Sequence, residues 1–419
     1  MFGTTPPTGF TPSELSSLIN RRTIDEHAGE AAFLWLQRQQ AVTAPNFRLE
    51  HLNMLDSRVQ AHLAALHVAG RAGWDAALRI GDPEDVGSIF VLGCLAFDGA
   101  DSDRMRHVLA VALAAPAGIS AVVAALAWLR PDAVRSVSLL LLRSPVAAHR
   151  VIGSEVLLEH AMHDTRTLEQ AATDTSPMVR ECGLRAIGET CCSALQGLAS
   201  RASEDAESKC AFRAAWSLAL MGDGASAERA FHLALEAELP TVRQAVEVAM
   251  RRADPRWVRG AIRSLAASSR TRRLAIIAAG AFGDPAVVPW LIKECDDELI
   301  GGVAGEAVSM ITGVDLRRLD LDRDAVEPST SLPLEDQSLP QPDPDKLAAW
   351  WRAGAARYAT GQRHLAGQPI TSTALVGVLR TGYQRQRRAA AIELTTIAGA
   401  ATLFRVGARA DRQLRSLAP

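Results

Sequence analysis

The sequence predicts an all-α protein whose central part is a solenoid of stacked helix pairs. Aromatic residues make up only 5% of the 419 residues, while Ala, Leu and Arg, which favour helices, are abundant. Segments of similar pattern also recur every 29 to 32 residues through the middle of the chain. A unit of that length cannot bury its apolar side alone, so neighbouring units are expected to stack.

The recurring segments share an order of residue types that suits a helix. In the clearest copies, a turn residue or proline precedes an arginine, and Ala, Leu or Ile follow at helical spacing. Gly-Asp or Ala-Asp-Pro then ends the helix. These copies are SPMVRECGLRAIGE (176–189), LPTVRQAVEVAMRRADP (239–255) and SRTRRLAIIAAGAFGDP (269–285). We expect about six units, with segments that begin near Pro116, Pro145, Pro177, Ser208, Pro240, Arg270 and Leu299.

Four arginines recur near the starts of these segments. Val179-Arg180 and Val242-Arg243 match the Val-Arg pair of the HEAT repeat, which the segments resemble, and Arg213 and Arg272 occupy comparable positions without the valine. Our interpretation is structural: these side chains hold adjacent repeats together through helix ends or acidic neighbours. Phosphate binding along the stack is the alternative, but residues 1–319 carry a net charge of −5, whereas nucleic-acid binding needs a positive surface.

Composition and charge divide the chain into four regions. We expect a helical N-terminal cap in 1–107, HEAT-like repeats in 108–316, an acidic, proline-rich linker in 317–345 and a small basic helical module in 346–419. Residues 320–345 carry a net charge of −7, and 346–419 a net charge of +10. The prolines and acids of the linker predict an extended or disordered segment, with packing across the basic module as the alternative.

The basic module holds the candidate partner-binding residues. Arginines beside aromatic rings are typical of surfaces that bind single-stranded nucleic acid. The simpler interpretation is that one tryptophan packs in the core and the arginines pair with the acidic linker or with helix ends. The candidates are Trp350, Trp351, Arg352, Arg357, Tyr383, Arg385, Arg387 and Arg388.

The sequence contains no catalytic or cofactor motif of the common kinds. GxxxxGK[ST], GxSxG, HExxH and a GxGxxG after a strand are all absent, so we expect no catalytic residue, no cofactor and no metal site. Six cysteines without a CxxC pair, and no signal-peptide pattern, favour a cytoplasmic location. The uncharged stretch 108–129 is interrupted by Pro116 and Gly118, which predicts two repeat helices instead of a membrane span.

EHAGEAAFLW and LDSRVQAHLAAL lie near the start of the chain, and ITGVDL (311–316), AWWRAGAARYATGQRHLAGQPI (349–370) and GYQRQRRAAAIELT lie toward its end. These segments, and more loosely the repeats, resemble an uncharacterised proteobacterial family of HEAT-repeat proteins often encoded beside type VI secretion genes. The resemblance implies a cytoplasmic adaptor or chaperone for secretion components or effectors. We therefore expect a non-enzymatic protein-binding scaffold. Nucleic-acid binding through the basic module, or a HEAT-like repeat enzyme such as a DNA glycosylase, is the alternative.

Overall fold

The chain folds almost entirely into helices. The computed structural model describes residues 20–82, 85–99, 101–115, 117–237, 241–323, 333, 335–359, 361–397, 399 and 401–418. Within these residues there are 22 α-helices and one two-stranded hairpin, which confirms the all-α fold class. The described residues belong to two compact units, Met1–Gln39 with Asn53–Met162 and Gln40–Leu52 with His163–Pro419.

The first unit is built on a core of aromatic and aliphatic side chains. Trp35 stacks on Phe90, with 4.6 Å between ring centroids, and Trp128 meets Phe90 edge-on at 5.5 Å. Three helices lie within residues 21–80. The helices that lie wholly or largely in this unit are α1 (Arg21–Thr43), α2 (Leu49–Val68), α3 (Arg71–Ile80), α4 (Val86–Asp98), α5 (Ser102–Ala114), α6 (Gly118–Trp128), α7 (Pro131–Leu141) and α8 (Ala147–Glu159).

The second unit contains the remaining helices and the hairpin of strands β1 and β2. The hairpin pairs His364 with Pro369 and Leu365 with Gln368 in antiparallel register. The elements of this unit are α9 (Thr165–Ala172), α10 (Pro177–Glu189), α11 (Gln196–Ala202), α12 (Ser208–Leu220), α13 (Gly224–Glu236), α14 (Val242–Arg252), α15 (Pro255–Ala266), α16 (Ser269–Phe282), α17 (Val288–Glu294), α18 (Gly301–Thr312), α19 (Pro344–Gly354), β1 (His364–Leu365), β2 (Gln368–Pro369), α20 (Ser372–Thr381), α21 (Gln384–Ile397) and α22 (Ala410–Ser416).

Helix pairs repeat along the second unit. Helices α10, α12, α14, α16 and α18 pack side by side, and we call them the helix row; α9, α11, α13, α15 and α17 each pack against the row helix that follows. Helices α6, α8 and the five row helices begin within two residues of the seven predicted segment starts. Pro116 and Pro240 themselves lie outside the described residues.

Small residues let the row helices approach closely. A Cβ atom added to Gly188 in α10 would lie 2.5 Å from the Cα atom of Ser217 in α12. The two backbones are therefore closer than any larger side chain at Gly188 allows. The Ser217 hydroxyl also donates a hydrogen bond to Leu184 O across the same interface, at 2.7 Å.

The uncharged stretch 108–129 falls in two helices, α5 and α6, as the proline and glycine predicted. Its first part ends at Ala114, and its second part begins at Gly118. Among the helices that the structure describes, none combines the length and the hydropathy that crossing a bilayer requires.

The acidic, proline-rich linker of residues 317–345, which we call the acidic segment, is more ordered in its described part than an extended chain would be. Leu321 and Leu339 are buried, because the chain folds back on itself there. The N–H of Arg323 donates to Gln341 O, and that of Asp343 donates to Leu321 O, both at 2.8 Å. Residues 324–332 and 334 lie outside the described part of the chain.

Gly188→Ala should destabilise the protein because the new methyl group meets the α12 backbone. Overpacking of this kind costs roughly 1–3 kcal/mol. Gly260→Ala is the matched control, since Gly260 is also helical but has no atom within 4 Å of an added Cβ. That change should be neutral or stabilise by up to about 1 kcal/mol. Urea unfolding of both variants measures the difference, and equal midpoints would contradict the close approach.

Candidate functional site

The C-terminal ends of the row helices meet one continuous stretch of the chain. The last four carbonyl groups of any helix lack a partner within the helix, so they need donors from elsewhere. Residues 358–403, which we call the capping segment, supply donors to the ends of all five row helices.

The ends of α10 and α12 accept one hydrogen bond each from the capping segment. Glu189 O accepts from the N–H of Leu403 at 2.7 Å. Leu220 O accepts from the hydroxyl of Thr395, a residue of α21, at 2.8 Å. Helix α21 accordingly packs against α12 and α14.

Arg363 and His364 cap α14 and α16 together. The Arg363 side chain donates through Nε to Phe282 O at 2.7 Å and through Nη1 to Arg251 O at 3.4 Å. The next residue, His364, donates its backbone N–H to Gly283 O at 2.8 Å. One guanidinium group thus joins the ends of two neighbouring helices.

The hairpin turn caps α18. Its two residues, Ala366 and Gly367, have positive φ angles of 50° and 82°, as a two-residue turn requires. Their N–H groups donate to Met310 O at 2.7 Å and to Ile311 O at 3.0 Å. The C-terminal end of a helix carries partial negative charge. The many arginines of the module are therefore favourably placed beside the C-terminal ends of the row helices.

Two of the candidate arginines, Arg385 and Arg387, are buried. The Arg385 side chain donates to Glu306 at 2.7 Å, to Thr43 O at 3.0 Å and to Glu335 O at 2.7 Å. Arg387 has no exposed surface and donates to Leu379 O at 2.7 Å. Burial lowers the pKa of Arg387 to about 10. Both guanidinium groups therefore find their hydrogen-bond acceptors, carbonyl and carboxylate oxygens, inside the protein.

Tyr383 and Arg388 are partly buried, and both contact acidic residues. The Tyr383 hydroxyl donates to Asp315 at 2.8 Å, and the Arg48 guanidinium lies 4.1 Å from its ring centroid. Burial raises the pKa of Tyr383. Arg388 pairs with Glu247 of α14 at 2.8 Å.

The two candidate tryptophans make a different kind of contact from these arginines. Trp350 and Trp351 are half-buried against the core, and Trp351 stacks on Tyr358 with 5.3 Å between ring centroids. Arg352 and Arg357 are exposed. Of the eight candidates, these two arginines alone are exposed.

Three of the four repeat arginines connect helix pairs. Arg180 pairs with Asp205 at 3.0 Å, and Arg213 of α12 contacts Glu181 of α10 at 3.2 Å. Arg243 of α14 contacts Glu306 of α18 at 3.5 Å. Within the described residues Arg272 makes no hydrogen bond or ion pair; its neighbour Arg273 does, with Asp336 of the acidic segment at 2.8 Å.

Glu247 pairs with two of the arginines described above, Arg388 and Arg243. Arg388 lies 2.8 Å and Arg243 3.3 Å from its carboxylate oxygens. Burial alone would raise the pKa of Glu247, but the two guanidinium groups outweigh burial and hold it below the usual range. The carboxylate is therefore charged at neutral pH and holds α21 against α14.

A cleft of about 200 Å³ lies beside the start of α21. Its apolar walls come from α18, the turn after it and the acidic segment. Charged groups of both signs stand among them. The lining residues include Met310, Leu316, Leu339, Pro340, Glu306, Asp315, Arg317, Ser338 and Arg385.

Two histidines of the first unit contact each other. His27 and His62, on α1 and α2, lie with their Nδ1 atoms 2.9 Å apart. Burial and the nearby His27 lower the pKa of His62, which favours its neutral form. Among the residues described, no group of three or more His, Cys, Asp or Glu side chains is arranged to hold a metal ion.

Three residues of the site, Arg252, Arg363 and Glu393, were not predicted from the sequence. Glu393 is one of only two acids in the basic module, and an isolated acid among arginines is the signal that could have identified it. Arg252 and Arg363 carried no such signal, because arginine is common throughout the chain.

No protein-family model, curated protein or solved structure matches this chain. The family resemblance described from the sequence therefore stays an expectation.

Tyr358→Phe should weaken the end of α18, because the Tyr358 hydroxyl donates to Thr312 O at 3.0 Å. Leaving a buried carbonyl without its donor costs about 1–2 kcal/mol. The phenylalanine ring keeps the stack on Trp351, so tryptophan fluorescence of the folded protein should not change. Urea unfolding checks the loss, and an unchanged free energy of unfolding would contradict the capping role.

Glu247→Gln should destabilise the protein at pH 7 by about 3 kcal/mol, since two guanidinium groups lose their carboxylate. A pKa that folding lowers contributes stability above the ordinary value of about 4.3 and loses it as pH falls further. The difference from the unsubstituted protein should therefore shrink below about pH 4. Urea unfolding at pH 7 and pH 3.5 measures this.

The control for that experiment is Glu236→Gln, at an exposed residue of α13. It should change stability by less than about 0.5 kcal/mol at either pH. A Glu247→Gln deficit that stays constant between the two pH values would show that the carboxylate charge is not what stabilises the contact.

Proposed function

We propose that this protein is a non-enzymatic protein-binding scaffold whose cleft beside α21 receives a side chain of a protein partner. The observation that carries the proposal is the lining of that cleft. Met310, Leu316, Leu339 and Pro340 are apolar, and a methionine adapts its shape to different partners. Protein interfaces combine such apolar pockets with polar surroundings.

The size of the cleft supports a protein ligand over a cofactor. Sites for drug-sized ligands and cofactors enclose about 300–1,000 Å³. A volume of about 200 Å³ accommodates one or two side chains of an anchoring segment. The surrounding charges include Asp315 and Glu306 as well as Arg317, so a partner with groups of both signs fits better than a polyanion.

Nucleic-acid binding through the basic module is the alternative, and the contacts of the module argue against it. Affinity for nucleic acid comes from cationic groups that neutralise phosphates at the surface. Four arginines of the module already pair with carboxylates of α10, α14, α18 and α21. The pairs are Arg363–Glu393, Arg385–Glu306, Arg388–Glu247 and Arg405–Glu189.

A repeat enzyme such as a DNA glycosylase is the second alternative. Such an enzyme would need aromatic side chains along an accessible channel. Trp216 is buried, and Trp257 and Trp290 pack partly buried against the core. These contacts favour a structural role for all three, so a scaffold remains the better-supported proposal.

The narrower proposal concerns biological context. The similarity of both chain ends to a family encoded beside type VI secretion genes supports a cytoplasmic adaptor or chaperone for secretion components or effectors. A scaffold of stacked helix pairs suits that role because it presents a long, rigid surface.

Ser338→Trp should abolish partner binding, because the indole fills the cleft while its apolar walls stay in place. The matched control is Ser264→Trp, at an exposed residue of α15. Each full-length variant is used as bait in a lysate of the native bacterium, and captured proteins are quantified by mass spectrometry. Secretion components or effectors should be enriched by the unsubstituted protein and by Ser264→Trp, and lost with Ser338→Trp.

Other results would reject parts of this proposal. Equal enrichment of the same partner by both variants would exclude the cleft as its binding site. A specific partner unrelated to secretion would keep the scaffold and reject the secretion role. Salt-sensitive binding of single-stranded DNA that fails when Arg352 and Arg357 are both changed to Glu would favour the nucleic-acid alternative.

A further inference from the structure

Three arginines meet a single buried carboxylate at the end of α14. Arg252 lies 3.1 Å and Arg251 3.7 Å from the Glu393 oxygens, and the Arg363 side chain also donates to Glu393. Glu393 is only 3% exposed. In the described part of the chain, none of the three arginines pairs with another acid.

The cluster therefore carries an excess of two positive charges. Burying like charges together is unfavourable unless a counter-charge is supplied. Burial lowers the pKa of Arg251 to about 10, which still leaves the group cationic at neutral pH. Neighbouring Glu247 also attracts Arg251, but Arg388 and Arg243 share its carboxylate.

The guanidinium groups are held in place by the protein and keep donors to spare. Arg251 donates through Nη1 to Glu247 O at 2.7 Å, and its Nη2 makes no hydrogen bond within the described residues. Arg363 is fixed through Nε on Phe282 O and is 27% exposed. Such fixed arginine forks match the oxygens of phosphate.

These residues line an open cavity of about 630 Å³. Arg251, Arg252 and Arg363 stand on its polar side together with Glu393. Ile370 and Ile397 also line it and supply apolar surface. The volume lies within the range of about 300–1,000 Å³ that small-molecule sites occupy.

We propose that this cavity binds a phosphate dianion, either free or as the monoester of a small organic molecule. The phosphate contacts Arg251 and Arg363, and the organic part of an ester packs on Ile370 and Ile397. A phosphate monoester carries about −1.5 to −2 charges at pH 7, which matches the excess of the cluster. A carboxylate or a phosphodiester supplies only one charge and leaves the cluster half-neutralised.

Calorimetric titration of the full-length protein in 0.1 M NaCl tests the proposal. The probes are inorganic phosphate, phenyl phosphate and, as a monoanion of similar shape, benzoate. We expect saturable one-to-one binding of phosphate or phenyl phosphate and much weaker binding of benzoate. Tighter binding of phenyl phosphate identifies an ester as the ligand, and equal binding identifies free phosphate.

Two variants of the cavity locate the binding site. Arg363→Gln removes one charged donor, and Thr396→Glu adds a negative charge to the cavity lining without removing an arginine. Each should weaken binding roughly tenfold or more, because a hydrogen bond between charged groups contributes about 1.5–3 kcal/mol. Arg229→Gln, at an exposed arginine of α13 paired with Glu204, is the control and should bind phosphate unchanged.

Circular dichroism shows which variants are folded, and Thr396→Glu keeps the test decisive if Arg363→Gln unfolds. The proposal is overturned if the unsubstituted protein binds neither phosphate nor phenyl phosphate saturably. Affinity that is unchanged in folded Thr396→Glu, or reduced equally in Arg229→Gln, also overturns it. Benzoate binding as tight as phosphate binding overturns the assignment of a dianion.

Discussion

The carbonyl groups at a helix end must find hydrogen-bond donors, and in the second unit this requirement connects the repeats to the end of the chain. Five row helices end beside one another, so their unpaired carbonyls form a line of acceptors. The capping segment donates a hydrogen bond to each of these ends. Without it, these ends would need water or other partners.

The charge of the basic module follows from this arrangement. The C-terminal ends of helices carry partial negative charge, and the row adds the buried carboxylate of Glu189 and the partly buried carboxylates of Glu247 and Glu306. Arginine suits such sites because its fixed fork donates to several oxygens at once. Part of the net charge of +10 is thus matched inside the protein, by these three carboxylates and by the helix ends.

The matching is incomplete at one place. Around Glu247 two arginines share an acid that bonds closely to both, whereas around Glu393 three arginines share one. The three arginines around Glu393 line a cavity. The apolar cleft beside the start of α21 is a separate recess of the same unit. Two recesses of different chemistry therefore accompany one capping segment: an apolar cleft suited to a protein side chain and a cationic cavity suited to phosphate.

The sequence by itself determined the helical repeat. Proline at helix starts, apolar residues at helical spacing and glycine at helix ends act within a few residues, so they could be read along the chain. Gly283 and Gly313, with φ angles of 80° and 72°, follow the ends of α16 and α18 in this way. The break between α5 and α6 was predicted by the same local chemistry.

Only the tertiary structure decided where the arginines of the C-terminal module lie. Every helix end offers the same carbonyl groups, so nothing in the sequence of α14 indicates that Arg363, 112 residues later, donates to it. For the same reason the sequence did not distinguish Arg385 and Arg387, which are buried, from Arg352 and Arg357, which are exposed. Hydrogen-bond partners distant in sequence are selected by the packing of the whole unit, and residue type alone does not encode that packing.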